Sequence, residues 1–361
     1  MPSSTSSFEK TLPGRGFPWA VLGAVVLVLL AEAGIRALPL DTVLRYGEGL
    51  GTYYEVRHTI EQRGAAEIAL LGSSRGRETV VVPDLQARVA AALGRTPSVA
   101  NYSCPDAKTS DMLHVVDLLG SSAQPSRLVL YFVSPRTLHG EGENIQRQDV
   151  FGIFPDQYGR STAHWLASLS ERPFWDLRNA LIRDYATFRH RYFIRNLLAN
   201  TPRGRRPVSP VQGEETTWQR YNATRSLVSH PVSEAQIRSY VARLLDDDGR
   251  YVMGDERIRD LEAVVASCRR AGMELILVGT PLSAELALHY PRGVIEDYYR
   301  AVDDLSRRLD VEFLTTDLLG LRFGRDDFRE QSHLNRQGAE RMTAALVDQV
   351  ILPRLQDGTA D

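Results

Sequence analysis

Apolar and polar positions alternate along this chain in a rhythm that points to strands and helices taking turns. Residues 65–71 (AAEIALL) read as a strand and 82–93 as a helix; 98–103 (SVANYS) read as a second strand, and 109–119 as a helix. Residues 127–133 (RLVLYFV) form a near-continuous apolar run, as expected of a strand covered on both faces. After a long interruption the rhythm resumes with a helix over 255–271, a strand over 273–279, a helix over 294–309 and a short strand over 311–314. A helix over 335–355 closes the pattern. Strands separated by helices of this length predict an α/β domain with a parallel sheet, and ligands on such sheets sit beyond the carboxyl ends of the strands.

The interruption, about residues 137–250, lacks strand-like alternation and reads as a helical insertion ending in a Pro/Gly-broken loop. Nine arginines between Arg172 and Arg206 are interleaved with aromatics there. Either these residues grip an anionic polymer or membrane surface, or the aromatics pack on the sheet while the arginines face water.

The N-terminal pattern is different. Residues 1–16 are a polar tail with Lys10 and Arg15, and residues 17–31 (FPWAVLGAVVLVLLA) carry no charge. With Glu32 and Arg36 paired one helical turn apart, residues 17–40 read as a transmembrane anchor, the alternative being a cleaved signal peptide. The basic residues ahead of the span place the tail in the cytoplasm and the rest outside, as a single-pass protein of the periplasm or outer face. Residues 41–64 then form a polar connector leading into a short helix, and the α/β domain runs over 65–358.

Bulk properties narrow the picture further. The chain has 361 residues, a formal net charge of -2 and 24% charged residues, which argues against a nucleic-acid binder and against wholesale disorder. Cys104 and Cys268 are too few for a disulfide scaffold or a cysteine-based zinc site, and stand either as one bridge or as two buried thiols. No His/Asp/Glu group shows metal-ligand spacing, and no cofactor is expected.

Chemistry enters at "LLGSSRG", ending at Gly76, and "SHLNRQGA", beginning at Ser332. Gly72 permits a tight exit from the first strand, and Ser74 then lies at the ligand edge; Gly-Ser-Ser is also an ordinary turn. His333 precedes the last helix, with Asn335 as a natural N-cap, and falls on the same edge; it is also suited to a plain capping role. A hydroxyl and an imidazole remote in sequence but on one sheet edge point to a Ser-His pair for acyl transfer.

These two blocks together resemble the SGNH hydrolases, also called GDSL esterases or lipases. The likeness is to the membrane-anchored cell-envelope branch, which includes proteins of alginate O-acetylation and teichoic-acid D-alanylation. It covers about residues 65–135 and 255–355. The resemblance implies a flavodoxin-like three-layer domain, with Ser74 as nucleophile, His333 as general base and Glu330, three residues before it, as the acid. Asp326 and Asp327 are nearby substitutes. It also places an oxyanion- or substrate-binding role around Asn101, Asp106, Ser134 and Arg136. Asp106 stands where the family has a glycine, and Ser134 near its usual asparagine. The expected activity is that of an esterase or O-acyltransferase on acyl esters, above all acetyl esters, of an envelope or exported polysaccharide, with a multi-spanning membrane acyltransferase as a possible partner. The rival expectation is an inactive envelope protein that binds glycan or scaffolds such an enzyme.

Overall fold

The structure, a computed structural model, describes residues 19–37, 50–139 and 233–357, apart from 243, 246, 247 and 331. Most of the insertion expected over 137–250 lies outside the described residues, as does its arginine- and aromatic-rich stretch.

Five strands form one parallel sheet: β1 (Ile68–Gly72), β2 (Val99–Asn101), β3 (Leu128–Val133), β4 (Glu274–Gly279) and β5 (Glu312–Leu314), in the order β2-β1-β3-β4-β5. This is the doubly wound order of flavodoxin-like folds, in which the direction of winding reverses between β1 and β3. The α/β expectation is therefore met, with strand ends within three residues of those read from the sequence.

Side chains alternate across the strands and so build two cores. Ala69 and Leu71, Val129, Tyr131 and Val133, and Leu275 and Leu277 face one layer. That layer comprises α2 (Leu50–Arg63), α5 (Thr109–Gly120), α8 (Asp255–Arg270) and α10 (Val294–Leu309). Ile68 and Leu70, Leu128, Leu130 and Phe132, and Ile276 and Val278 face the other, made of α4 (Val82–Leu93), α11 (Arg336–Leu346) and α12 (Leu352–Asp357). Between β1 and α4 lies α3 (Ser74–Thr79); α6 (Pro135–Leu138) follows β3, while α7 (Glu234–Ala242) precedes α8 and α9 (Ala284–His289) follows β4. A two-stranded antiparallel ribbon, β6 (Phe328–Glu330) and β7 (His333–Leu334), precedes α11.

Two expectations change. The connector expected over 41–64 contains α2, whose Tyr53, Val56 and Ile60 are buried in the first core, so the folded unit reaches back to Leu50. The transmembrane anchor expected over 17–40 is not supported: among the described residues no helix is long and apolar enough to cross a membrane. Residues 17–40 do contain a helix, α1 (Trp19–Ala37), and the expected Glu32–Arg36 pair forms at 2.7 Å. Only the 13 helical residues Trp19–Ala31 precede the first charge, and at 1.5 Å rise each they reach about 20 Å against a hydrocarbon core of roughly 30 Å.

Candidate active site

Ser74 owes its position to two glycines. Gly72 ends β1 with φ +156°, and a Cβ there would meet Cβ and O of Phe132 at 3.1 Å. At Gly76 a Cβ would stand 2.9 Å from Phe132 Cβ and 3.1 Å from Ser103 Oγ. Only glycine lets the six-residue α3 lie this close to β3, and that contact sets Ser74, its first residue, at the carboxyl edge of the sheet. This short helix was not expected; the sequence suggested a loop as far as the proline-containing start of α4.

His333 arrives from the opposite end of the chain on the small ribbon. Glu330 and His333 are cross-strand partners there, which brings their side chains together. His333 Nε2 lies 2.9 Å from Ser74 Oγ, and its Nδ1 is hydrogen-bonded to Glu330 Oε1. An ionised carboxylate only accepts, so Nδ1 carries the proton and Nε2 is left to accept from the serine hydroxyl. Ser332 Oγ adds bonds to Glu330 Oε1 at 3.2 Å and Oε2 at 3.4 Å. Burial alone would push the Glu330 carboxyl up, but the bonds from His333 and Ser332 and the charges of His333 and Arg329 together hold it below an ordinary glutamate.

The alternatives for the acid are used elsewhere. Asp327 is buried, accepts two bonds from Arg341 at 2.8 and 2.7 Å and takes the Gly324 N–H at 2.8 Å. Asp326 is exposed. Asn335 clamps this turn: its backbone N–H donates to Asp327 O at 2.9 Å, its Nδ2 to Asp326 O at 2.5 Å, and its Oδ1 caps Gly338 N at 3.0 Å. A Cβ at Gly338 would sit 2.3 Å from Asp327 O, so the glycine in "SHLNRQGA" is a matter of space.

The facing wall is built differently. Asp106 has φ +54°, the left-handed region a glycine occupies freely and aspartate tolerates, so the turn keeps a glycine's backbone at the position where the resemblance expects glycine. Its carboxylate pairs with Arg136 at 2.9 Å, both side chains about half exposed. Lys108 Nζ donates to Arg136 O at 2.8 Å, and its backbone N–H is held by Asp111 Oδ2 at 2.8 Å. Burial, with help from Arg257 and Arg136, lowers the Lys108 amine to about 8. Ser73, Ser74, Arg75, Asp106, Lys108, Arg136, Thr137, Ser332 and His333 all line one open pocket.

Two of the expected binding residues face away from it. Ser134 is buried and caps α6, its Oγ 2.8 Å from Thr137 Oγ1 and accepting Thr137 N at 3.3 Å. Asn101 is also buried; its Nδ2 donates to Arg77 O at 3.2 Å and its Oδ1 accepts Ser103 N at 3.1 Å. Both hold the site's backbone and neither lines the pocket. Arg75, Lys108, Thr137 and Ser332 were missed, although all four lie within or beside the motifs that named their neighbours. Both cysteines are free and buried, and burial raises the Cys268 thiol to about 12. Among the described residues no group of His, Cys, Asp and Glu could hold a metal ion.

No known protein family matches the chain. No curated protein matches it either.

Proposed function

We propose that this chain is a serine acyl-transfer enzyme, an esterase or O-acyltransferase acting on acetyl esters of an envelope or exported polysaccharide. The observation that carries the chemistry is the Ser74 Oγ to His333 Nε2 distance of 2.9 Å with Glu330 bonded to Nδ1 behind it. The resemblance of the Ser74 and His333 motifs to SGNH hydrolases supports the fold-specific roles, and it alone supports the polysaccharide; the placement outside the cytoplasm is supported by the N-terminal apolar run with basic residues ahead of it.

Ser74 Oγ attacks the ester carbonyl carbon while its proton passes to His333 Nε2, and the carbonyl π pair moves onto oxygen. Glu330 keeps the imidazole oriented and stabilises its positive charge. Backbone N–H groups of Ser74 and Asp106 serve the oxyanion: among the described residues neither donates to another group, and the first turn of a helix leaves its N–H groups unpaired. His333 then gives its proton to the departing alcohol oxygen as the ester C–O bond breaks, leaving acyl-Ser74. Water or a sugar hydroxyl repeats the sequence in reverse.

Ser74→Ala is expected to lower turnover of a chromogenic acetyl ester by about 1000-fold or more; unchanged turnover would overturn the reading. Whether acetate appears free or bound to glycan separates hydrolysis from transfer. The rival reading, an inactive scaffold or glycan-binding protein, draws on one observation, that Ser134 and Asn101 are turned away from the pocket. It requires full cellular function in a strain carrying Ser74→Ala.

A further inference from the structure

Ser74 and His333 are carried by two parts of the chain that are fixed by separate devices. Gly72 and Gly76 seat α3, with Ser74 as its first residue, against β3. Asn335 fastens the turn ahead of the ribbon to the start of α11, and the ribbon carries Glu330 and His333. Neither device sets the distance between the two parts, and proton transfer depends on that distance.

An ion pair spans the gap. Glu78 lies four residues after Ser74, one turn along α3, and is only 2% exposed. Arg329 immediately precedes Glu330 on β6, and its Nη2 stands 3.3 Å from both Oε1 and Oε2 of Glu78. Helix α3 thus meets the ribbon at two points, through Ser74 to His333 at 2.9 Å and through Glu78 to Arg329. A single point of contact lets the ribbon tilt about it; a second one removes that freedom.

Stability does not account for the pair. A carboxylate this buried has lost its water, and that cost offsets most of the attraction of the guanidinium, so apolar residues of similar size often serve a fold as well or better. What the pair supplies and two apolar side chains do not is a fixed register between α3 and the ribbon.

We infer that Glu78 and Arg329 are positioning residues for acyl transfer: their ion pair fixes the ribbon against α3 and so keeps His333 Nε2 within proton-transfer reach of Ser74 Oγ. The inference rests on the acyl-transfer reading above.

The test measures kcat and KM of the full chain on a chromogenic acetyl ester, with kcat expressed per active site titrated by a fluorophosphonate so that unfolded protein is not counted. In Glu78→Met, kcat should fall by about 10- to 100-fold while KM changes by less than about 2-fold. Combining Glu78→Met with Arg329→Met should cost no more than the slower single variant, and the urea midpoint of the combination should stay near wild type. Arg329→Lys keeps the charge and should recover part of the kcat lost in Arg329→Met. Near-normal kcat in Glu78→Met would overturn the inference, and so would single losses that simply add in the combination. An effect of the Arg329 charge on Glu330 alone would slow Arg329→Met, spare Glu78→Met and also overturn it. A purely structural role would lower the urea midpoint and the titrated fraction and leave kcat per site unchanged, with the same consequence. Should Arg329→Met fail to fold because it strands the Glu78 carboxylate, Glu78→Met and the combination still decide. Should no ester be turned over, the acyl-transfer reading fails and the pair is judged by a crystal structure of the combined variant. A Ser74 Oγ to His333 Nε2 separation beyond about 3.5 Å would support the positioning role; an unchanged 2.9 Å would overturn it.

Discussion

The two walls of the Ser74 pocket are made by different means. On one side Ser74, His333 and Glu330 are held by contacts that leave no slack. Gly76 and Gly338 stand where any Cβ would collide with Phe132 or Asp327, Gly72 where one would press on Phe132, and Asn335 clamps the turn ahead of the ribbon with three hydrogen bonds. On the other side Asp106, Arg136 and Lys108 meet through long, partly exposed side chains. Close packing fixes distances, which proton transfer between Ser74 and His333 needs. Charged side chains in partial contact with water set a field more than a position, which suits recognition.

That contrast can be broken in graded steps. The largest effect after loss of Ser74 itself is expected from Glu330→Gln. It removes the charge behind the imidazole and admits the wrong tautomer, so kcat should fall by about 100- to 10,000-fold. A variant with near-normal kcat would show that Glu330 is not the orienting acid.

Next comes Gly338→Ala. With Asp327 O only 2.3 Å from the new Cβ, helix α11 must shift. A loss of about 1–3 kcal/mol by urea unfolding is expected, along with reduced activity, because Asn335 and the turn before Glu330 move with it. Full stability and activity would mean that the catalytic wall has more slack than its contacts suggest.

A smaller effect concerns acid. The folded carboxyl of Glu330 lies below its ordinary value of 4.5, so its contribution to stability is present above about pH 4.5 and is lost as pH falls through the folded value. Urea midpoints should therefore fall more steeply below that pH in wild type than in Glu330→Gln. Parallel curves would contradict the His333 and Ser332 bonds as the source of the shift.

The smallest effect is expected on the facing wall. Asp106→Gly relieves left-handed strain and removes one half-exposed ion pair, two terms that oppose each other, so stability should change by less than about 1 kcal/mol. A much larger loss by urea unfolding would show that this wall is packed as tightly as its opposite.

The packed wall was partly legible in the sequence. Gly72, Ser74, His333 and Asn335 stood out because each is the residue type that a strand exit, a nucleophile, a base and a helix cap require. The ribbon that pairs Glu330 with His333 was not legible, since two short strands leave almost no periodicity. Nor was the short α3, because six residues are too few to show a helical pattern. The roles expected of Asn101 and Ser134 fell on the right segments, but their side chains turned inward to bond Arg77, Ser103 and Thr137.

By itself the sequence determined the alternation of strands and helices, the two-faced burial of β3, and the pair of blocks on which chemistry could stand. Those properties live in local composition and spacing, which the chain carries before it folds. Tertiary structure alone decided which carboxylate stands behind His333, because Asp327 was claimed by Arg341. It also left Arg75 buried beside the nucleophile, its Nη1 with no partner among the described residues. Such outcomes depend on which side chains arrive in the same place, and in a chain where Ser74 and His333 lie 259 positions apart, that is set only when the sheet closes.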